Sequence, residues 1–599
     1  MDQRQASPRQ DLNDGIAPPR AITNQAAARL LDRIAQLLEA KGENPYRVRA
    51  YREAAAQIEA MQTNLRELWQ EGKLETIPRV GPSIAAKLAE FLKTGRSSYL
   101  EELQRSVPQG IERLLEVPGI GPARARFLSE HLGIHTPEDL IEAAEAHRIR
   151  ALPGFGERSE QRLLIEARRW AQRERRLLLG TAWPIAQEII NLLKADPAIE
   201  QVSMGGSLRR MRETVGDVDL LAAAAVPEVA SLRFSQIPIV REVLASGPTK
   251  VSVLLESGLQ VDLRVVEPAS WGAALQHFTG SKQHNIHLRD LAIGRGLKLN
   301  EYGIYDIATG RRIGGEVEED VYHALELDWI PPELREDRGE IQAAAEHTLP
   351  VLVELSDLHG DLHVHTAWSD GSVSIEAMAV AAREFGLDYI AVTDHSQSLA
   401  IAHGLNLVRY REQRHEIDAL NQRLAPFRIF AGAEVDILTD GSLDLPADVA
   451  NELDYVAVSI HSRFQMDREQ MTQRIIRGIS HPFVNTLSHP TGRIIDRRPG
   501  YDIDLEAILR VAARNGVAVE INSAIDRLDL DDIWVRRAKE LGCRLVVNSD
   551  SHGPDQFTNL RFGVAVARRG WLTSADLVNT LPLEGFSSWL RQRKRQRTA

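Results

Sequence analysis

The hydrophobic pattern changes twice along the 599-residue chain and predicts three kinds of architecture. Up to about residue 180, apolar residues recur at intervals of three and four, as in 26-AAARLLDRIAQLLEAKG-42, which is typical of amphipathic helices. After Pro184, short apolar runs bounded by glycine indicate an antiparallel sheet with helices on one side. After residue 356, apolar runs alternate with helical segments, which predicts a parallel sheet buried on both faces.

Seven apolar runs of the last region end near polar residues that can bind metals. The first lies in 361-DLHVHTAWSDG-371 and the last in 544-RLVVNSDSH-552, with others starting at 389, 429, 455, 484 and 517. Seven strand–helix units favour closure into a distorted βα barrel, whose active site would lie at the carboxyl ends of the strands. The residues expected there are His363, His365, Asp370, His395, Glu434, His461, His489, Asp550 and His552.

These strand-end residues predict a metal cluster. One histidine at a strand end is usually a hydrogen-bonded structural residue, but nine ligand-type side chains at one end of a sheet are hard to explain in that way. Mixed imidazole and carboxylate donors suit Zn²⁺, Mn²⁺ or iron, and the set is large enough for up to three ions. Metal-assisted attack of water on a phosphoester is the expected chemistry.

Three aspartates of the middle region are expected to converge. Asp217 and Asp219 alternate with buried-type residues in 205-GGSLRRMRETVGDVDLL-221, so both carboxylates project from one strand face. Asp262 alternates likewise in 261-VDLRVV-266, and strand pairing would unite all three. Clustered carboxylates require cations, and two Mg²⁺ or Mn²⁺ ions suit phosphoryl transfer, with Asp262 available to accept a proton. Upstream, the donors available to a triphosphate are those of Gly206, Ser207 and Arg210.

Glycine turns precede helices in 76-TIPRVGPSIAAKLAEFL-92 and 116-EVPGIGPARARFLSEHL-132, with a looser copy at 152–167. Free N–H groups at such a helix start can face a phosphate. One copy alone would favour a packing device, but several favour sequence-independent contact with a DNA backbone. The motif resembles the helix-hairpin-helix of DNA repair proteins and implies DNA binding at Gly81, Lys87, Gly119 and Gly121.

The segment with GGS, GDVD and the later strand aspartate resembles the nucleotidyltransferase signature of family X DNA polymerases. Downstream, 276-QHFTGSKQHNIHLRDLAIGRGLKLNEYGIYD-306 is similar to the thumb of that family. The resemblance places Phe278 and Gly280 at the nucleotide sugar, Asn285 at the minor-groove edge of the base and Arg289 against the template. His277 stands where the family commonly has tyrosine, which leaves sugar discrimination open.

The segment 44-NPYRVRAYREAAAQI-58, with the first hairpin, resembles the small family X domain that binds the 5′-phosphate of a gap. In some relatives a lysine there forms a Schiff base with an abasic sugar, and Lys87 falls at its position. Ser83 stands where a further lysine would be expected. Phosphate binding, lyase chemistry and a merely solvated lysine therefore remain alternatives.

The nine strand-end residues resemble the metal site of the PHP domain, named after polymerase and histidinol phosphatase, at every ligand position. An intact set implies an active hydrolase, because some PHP domains that lost ligands serve only as scaffolds. His403, in 401-IAHG-404, is extra and is expected at substrate phosphate or at the rim of the site. Arg463 and Arg493 are further candidates for phosphate contact, with plain surface arginine as the simpler alternative.

Composition and charge add few restrictions. The formal net charge is −12, but basic residues cluster in 165-IEARRWAQRERR-176 and 591-RQRKRQR-597, which leaves local DNA contact open. One cysteine, Cys543, excludes an internal disulfide. A polar start and the lack of an apolar run of about 18 residues predict a cytoplasmic protein without membrane association.

The two resemblances together imply a bacterial or archaeal family X DNA polymerase with a C-terminal PHP domain. Its expected partners are gapped or nicked duplex DNA and deoxynucleoside triphosphates, its expected state is a monomer, and its expected activities are gap filling in DNA repair, 3′–5′ exonuclease and possible cleavage at abasic sites. Two alternatives remain: a DNA-end-binding scaffold with little turnover, and a nucleotidyltransferase fused to a small-molecule phosphatase of histidinol-phosphate type.

The expected fold is multidomain, with an all-α helix-hairpin-helix region, an α+β nucleotidyltransferase palm and thumb, and a C-terminal α/β barrel. The predicted segments are a disordered start (1–20), a 5′-phosphate-binding domain (21–104), helix-hairpin-helix fingers (105–180), the palm (181–266), the thumb (267–333), a helical linker (334–356), the PHP domain (357–590) and a basic tail (591–599).

Overall fold

The computed structural model describes residues 24–60, 65–70, 72–106, 111–115, 117, 119–174, 176–495 and 497–596. The predicted disordered start, residues 1–20, lies outside the described residues, as do 597–599 of the basic end. The chain divides into two compact units after residue 175. None of the described helices is long and apolar enough to cross a lipid bilayer.

The described residues of the first unit are helical, as the apolar spacing predicted. The helices are α1 Asn24–Ala40, α2 Pro45–Ala60, α3 Leu65–Gln70, α4 Pro82–Thr94, α5 Ser98–Ser106, α6 Ile111–Leu114, α7 Pro122–Leu132, α8 Pro137–Glu145 and α9 Glu157–Glu174. Gly81 and Gly121 are the N-caps of α4 and α7, each followed by proline at the first helical position. Proline suits that position because its missing N–H would have no partner within the helix. Both predicted hairpin turns therefore lead directly into helices.

The second unit opens with a mixed sheet and its helices. The elements are β1 Leu177–Leu178, α10 Leu179–Lys194, β2 Gln201–Met204, α11 Gly206–Arg209, β3 Thr214–Val215, β4 Val218–Ala223, α12 Pro227–Ser235, β5 Val240–Ser246, β6 Lys250–Leu255 and β7 Gln260–Val266. The strand order is β2-β4-β7-β6-β5. The predicted antiparallel sheet is wrong for one strand pair, since β4 and β7 run parallel, while the other three pairs are antiparallel. The crossover through α12 makes this arrangement possible, because it returns the chain to the starting end of the sheet.

A small helical and sheet region follows. It contains α13 Trp271–Thr279, α14 Lys282–Gly294, the antiparallel strands β8 Leu297–Asn300, β9 Gly303–Asp306 and β10 Arg312–Gly314, then α15 Glu318–His323 and α16 Glu340–Ala345. The helical linker predicted to reach residue 356 is wrong in extent, because α16 ends at Ala345 and only a short 3₁₀ turn, Leu355–Asp357, follows.

Seven parallel strands in chain order form the predicted barrel. They are β11 Gly360–Val364, β12 Tyr389–Val392, β13 Arg428–Asp436, β14 Tyr455–Ser459, β15 Thr486–Leu487, β16 Ala518–Asn522 and β17 Leu545–Asn548. Their helices are α17 Ile375–Phe385, α18 Leu407–Arg423, α19 Ala447–Glu452, α20 Arg468–Ile479, α21 Leu505–Asn515, α22 Asp532–Glu540, α23 Leu560–Arg569 and α24 Leu583–Gln596. A bridge between Val364 and Ser551 nearly closes the barrel.

The final helix α24 packs under the barrel. Phe586 is fully buried and stacks on Tyr389 with ring centroids 4.8 Å apart. Residues 591–596, which belong to the predicted basic tail, form the last turns of this helix. Apolar contacts in the first half of α24 hold this helix against the sheet, and the charged residues after them continue the helix.

Candidate active sites

Asp217, Asp219 and Asp262 lie together on neighbouring strands of the mixed sheet. Asp219 and Asp262 are direct partners in the parallel β4–β7 pair, and Asp217 immediately precedes β4. Burial raises the pKa of Asp219 to about 7, and the charges of Asp217 and Asp262 add to this effect. The three carboxylates thus repel one another, a situation that bound cations relieve.

Two polar side chains contact the carboxylate of Asp262, one from its own strand β7 and one from the neighbouring strand β6. Gln260 Nε2 donates to Asp262 Oδ1 at 2.9 Å, and Lys250 Nζ lies 3.4 Å from Asp262 Oδ2. These contacts restrict the orientation of the Asp262 carboxylate.

The Gly206 turn lies directly against Asp219. The N–H of Gly205 donates to the Asp219 carbonyl at 2.8 Å, and Gly206 has a φ of +55°. A Cβ at Gly206 would lie 2.3 Å from Asp219 Oδ2, so a side chain there would displace the carboxylate. Ser207 follows in the short helix α11, and its contact with a triphosphate stays a prediction.

Arg210 is held by neighbouring groups. Its Nη1 donates to the Thr279 carbonyl at 2.6 Å, and its Nε donates to Glu336 Oε1 at 3.1 Å. Arg209 donates to Thr279 Oγ1 at 2.6 Å. Both arginines therefore order the turn before Gly280, and a direct contact of Arg210 with a triphosphate stays a prediction.

The other predicted nucleotide contacts surround this turn. The Arg264 guanidinium lies 4.6 Å from the ring centroid of Phe278. Asn285 is buried, accepts from Gln276 Nε2 at 2.8 Å and donates to the His277 carbonyl at 2.7 Å. Arg289 Nε donates to the Asn285 carbonyl at 3.2 Å. The contacts with sugar, base and template stay predictions.

The barrel brings its nine predicted ligands together at the carboxyl ends of the strands. Donor atoms within 4.8 Å of one another form three groups: His365, Asp370, His395 and His552; His363, His365 and Asp550; and His395, Glu434 and His461. The ninth residue, His489, places Nε2 2.9 Å from Glu434 Oε1. His365 and His395 each belong to two groups, which is the arrangement expected of a multinuclear centre.

The charges of the cluster are strongly coupled. Burial and the neighbouring histidines lower the pKa of His365 to about 3. Burial opposes ionisation of Glu434, but His461 and other nearby histidines outweigh it and hold the pKa of this carboxyl well below its usual range. Burial opposes protonation of His395, but Glu434 and Asp370 outweigh it and raise the pKa of this imidazole to about 10. Metal binding requires neutral imidazoles, so a bound cation would displace such a proton.

Sequence reasoning missed two residues of this site. Glu520 is fully buried and lies 2.7 Å from His363 Nδ1, while its second oxygen accepts the N–H of His489 at 2.6 Å. Arg527 places Nε 3.6 Å from Asp550 Oδ2. A signal for Glu520 was available, because 517-VAVEIN-522 was the one predicted strand without an assigned polar residue.

His403, predicted at substrate phosphate or at the rim, and the two arginines predicted as candidates for phosphate contact differ in their surroundings. His403 and Arg463 are exposed in loops. Arg493 is mostly buried and donates to the Arg527 carbonyl at 2.9 Å and to Glu213 Oε2 at 2.6 Å. Arg493 therefore ties the barrel to the mixed-sheet region.

In the first unit, Lys87 lies in a small aromatic and basic cluster. Its Nζ lies 4.5 Å from the Tyr99 ring centroid and donates to Ser83 Oγ at 3.0 Å. Arg47 donates to the Tyr99 hydroxyl at 2.6 Å. Burial lowers the pKa of Lys87, and the charge of Arg47 adds to this. Gly119, with a φ of +88°, begins the second hairpin turn, which continues to Gly121.

Family models match four parts of the chain. A helix-hairpin-helix domain matches residues 22–97, and a SAM-like helix-hairpin-helix tandem matches 111–169. A DNA polymerase beta thumb matches 274–336, and a PHP domain matches 361–524. The chain is 38% identical to a DNA polymerase/3′–5′ exonuclease PolX of Bacillus subtilis (strain 168) over 566 residues, covering 94% of this chain and 98% of the relative. The chain belongs to the family X DNA polymerases with a C-terminal PHP domain. The predicted family and fold class are thereby confirmed.

Two shorter relatives match part of this family X chain. A probable phosphatase of Thermoanaerobacter sp. (strain X514) is 29% identical over 247 residues, or 39% of this chain and 96% of the relative. A probable phosphatase of Shewanella sp. (strain MR-4) is 31% identical over 203 residues, or 32% of this chain and 75% of the relative.

Membership of family X with a PHP domain implies divalent metals, and the residues present fit them. His363 Nε2 and both ring nitrogens of His365 are buried and have no hydrogen-bond partner in the part of the chain that the structure describes. The carboxylate oxygens of Glu434 and Asp550 lie 3.2 to 3.6 Å from the two Nε2 atoms. Buried imidazole nitrogens of this kind are costly unless they bind a cation.

Proposed function

We propose that this chain is a DNA-directed DNA polymerase that fills short gaps during repair and whose PHP domain is a metal-dependent 3′–5′ exonuclease. The observation that supports the polymerase best is the register of β4 and β7, which sets Asp219 opposite Asp262 beside Asp217. Gapped or nicked DNA and deoxynucleoside triphosphates are the proposed substrates. The proposed state is a cytoplasmic monomer.

The polymerase site is proposed to use Asp217, Asp219 and Asp262 to hold Mg²⁺ or Mn²⁺. The ions, when bound, favour ionisation of the primer 3′-hydroxyl and neutralise charge on the triphosphate. Asp262, oriented by Gln260, accepts the hydroxyl proton. The backbone of Gly206 and Ser207 faces the phosphates.

The nucleotide is proposed to lie against the turn at the end of α13. Phe278 and Gly280 contact the sugar, Asn285 faces the base and Arg289 faces the template. Arg210 holds the turn through the Thr279 carbonyl and extends toward the triphosphate. This packing orients the incoming nucleotide for in-line attack.

The exonuclease site is proposed to hold up to three Zn²⁺ or Mn²⁺ ions with the nine strand-end residues. The ions, when bound, supply an activated water and neutralise the scissile phosphate. Glu520 orients His363 through its Nδ1 atom, and Arg527 places a positive charge next to Asp550. The same site is the candidate for cleavage at abasic positions.

The first unit is proposed to grip DNA through Gly81, Gly119 and Gly121 and to bind a 5′-phosphate at Lys87. Lys87 is also the candidate lyase residue, because burial and Arg47 lower its pKa and so favour the neutral amine that forms a Schiff base. The domain limits 21–104, 105–180, 181–266, 267–333, 334–356 and 357–590 remain the proposed division, although the last helix of the barrel, α24, continues past residue 590 to Gln596. Borohydride trapping on incised abasic DNA tests the lyase.

A time course on a gapped duplex with a labelled 3′ end tests the two-site function. Wild type should extend the primer with deoxynucleotides and shorten it without them. Asp217→Asn with Asp219→Asn should abolish extension and keep shortening, while His363→Ala with His365→Ala should do the reverse. Loss of both activities in both variants would overturn the assignment of separate sites.

Assays on the wild-type protein also distinguish the two alternative functions, a DNA-binding scaffold and a small-molecule phosphatase. A scaffold predicts DNA binding with neither extension nor shortening in wild type. A small-molecule phosphatase predicts hydrolysis of free phosphomonoesters that excess DNA does not inhibit.

A further inference from the structure

Arg569, the last residue of α23 in the barrel, contacts the polymerase region directly. Its side chain is 3% exposed. Its Nη1 donates to the Arg210 carbonyl at 2.7 Å and to Glu336 Oε1 at 3.1 Å. Its Nη2 donates to Asp532 Oδ2 at 2.8 Å, within the barrel. One buried guanidinium thus joins three segments that are far apart in sequence.

Glu336 connects Arg569 to the side chain of Arg210. The same oxygen, Oε1, accepts from Arg569 Nη1 and from Arg210 Nε, each at 3.1 Å. Burial opposes ionisation of Glu336, but Arg569 and Arg210 outweigh it and lower the pKa of the carboxyl. Glu336 is therefore charged near neutral pH and holds both arginines through charge-assisted bonds.

Arg210 in turn holds the turn at which the nucleotide is proposed to bind. Its Nη1 donates to the carbonyl of the fully buried Thr279 at 2.6 Å. The next residue, Gly280, has a φ of +70°, and a Cβ there would lie 3.1 Å from Arg210 Nη1. The turn therefore packs on the guanidinium, and a shift of Arg210 displaces Gly280.

We propose that Arg569 of the PHP domain is a positioning residue for nucleotide binding in the polymerase site. It holds the carbonyl of Arg210 and the carboxylate of Glu336, so that the Arg210 guanidinium supports the Thr279–Gly280 turn. This inference rests on the proposed polymerase function. It assigns to the barrel a role in synthesis that is separate from its own hydrolytic site.

The planar guanidinium is required for this role. Arg569 meets its three acceptors with two nitrogens that diverge in one plane, whereas a lysine has a single ammonium on a flexible stem. Arg569→Lys keeps the charge but cannot reach Asp532, Glu336 and the Arg210 carbonyl together. The variant therefore weakens the contacts that position the Arg210 guanidinium, while the net charge of the interface stays the same.

The neighbouring Arg568 supplies a matched control. Arg568 also joins the barrel to the preceding segment, through Glu333 Oε1 at 2.8 Å, the Val353 carbonyl at 3.0 Å and Glu354 Oε1 at 2.8 Å. None of these partners belongs to the 206–210 or 278–281 segments. Arg568→Lys therefore perturbs the same junction without the link to the nucleotide turn.

The test measures single-nucleotide insertion and 3′–5′ degradation by wild type, Arg569→Lys and Arg568→Lys. Arg569→Lys is expected to raise the KM for the incoming deoxynucleotide about tenfold and to change kcat little, because it disturbs positioning rather than the reacting groups. Degradation should match wild type. Arg568→Lys should leave both activities near wild type.

A double-substitution comparison tests whether the effect passes through Glu336. Glu336→Gln alone should raise the nucleotide KM, and Glu336→Gln with Arg569→Lys should raise it no further than the larger single effect. Multiplicative effects would overturn the linked path from Arg569 through Glu336 to Arg210.

The remaining outcomes are also decisive. An Arg569→Lys protein with unchanged nucleotide KM overturns the inference, and so does one that loses insertion and degradation equally, since that result marks a residue of the barrel fold. If wild type inserts no nucleotide while it binds gapped DNA, the proposed polymerase function fails first, and the two failures are thereby distinguished.

Discussion

Glu520 and His363 form a fully buried pair inside the barrel, with 2.7 Å between Oε1 and Nδ1. The contact leaves His363 Nε2 directed at Glu434 and Asp550, at 3.4 and 3.5 Å. A carboxylate behind an imidazole fixes its tautomer and increases the basicity of the outer nitrogen. Glu520 therefore prepares His363 as a ligand without belonging to the donor cluster itself.

Glu520→Gln is expected to weaken metal binding in the PHP domain about 10- to 100-fold, because it removes this support of His363. Metal content after dialysis and the rate of 3′-end degradation measure the effect, and nucleotide insertion should be retained. Glu412→Gln, at an exposed position of α18, is the matched control. Normal metal content in Glu520→Gln would contradict the role.

Asp219 gives a prediction for stability against pH. Burial, with the charges of Asp217 and Asp262, raises its pKa from 3.8 to about 7 in the folded protein. Between these values the folded state binds a proton that the unfolded state has lost, so the stability of the metal-free protein falls as pH rises through this window.

Asp219→Asn removes the ionisation and should raise the Tm at pH 8 in EDTA by about 3 °C while abolishing nucleotide insertion. Thermal unfolding at pH 5 and pH 8 measures the difference, which should be smaller at pH 5, where only part of the window between the two pKa values has been crossed. Asp290→Asn, at an exposed position of α14, should show no such gain. A variant less stable than wild type at pH 8 would refute the repulsion among the three acids.

Gly206→Ala tests the close approach of the turn to Asp219. The added Cβ would meet Asp219 Oδ2 at 2.3 Å in a backbone with a φ of +55°. Nucleotide insertion should fall at least about 100-fold, because displacement of a reacting group by about 1 Å has this effect. Gly294→Ala, where a Cβ meets nothing within 4 Å, is the control. Degradation of 3′ ends should persist in both variants.

Lys87→Ala tests recognition of the 5′ side of a gap. Lys87 lies beside Tyr99 and donates to Ser83, within reach of the Arg47 charge. Affinity for a gap with a 5′-phosphate should fall about three- to tenfold, because one charged contact to phosphate is lost. Affinity for a 5′-hydroxyl gap should change little.

Lys93→Ala, on an exposed turn of the same helix α4, is the control for the loss of a positive charge. Fluorescence anisotropy with the two duplexes at one fixed salt concentration gives the comparison. Equal loss on both duplexes would assign Lys87 to general backbone contact.

Local periodicity was sufficient for much of the fold. The seven barrel strands follow from apolar runs of strand length, and the nine ligand-type residues follow because parallel strands bring their carboxyl ends to one edge. The pairing of Asp219 with Asp262 was likewise anticipated from alternation with buried neighbours. These features depend on residues close in sequence and on a repeated topology.

The errors lie where distant elements meet. The parallel pairing of β4 with β7 depends on the crossover through α12, which the apolar runs alone do not encode. The linker helix ends early, and the basic end continues α24 because Phe586 and its neighbours are buried under the barrel. Segment composition does not reveal such packing partners.

The sequence by itself therefore determined the family, the barrel, the three clustered aspartates and the nine ligand-type residues of the barrel, since each can be recognised from local residue spacing or from a motif. Only the tertiary structure decided that Glu520 contacts His363 and that Arg569 donates to the carbonyl of Arg210, a residue 359 positions away in sequence. The reason is physical. A strand or helix alternates its faces by its own backbone geometry, whereas the partner of a buried charge is set by how separate elements pack.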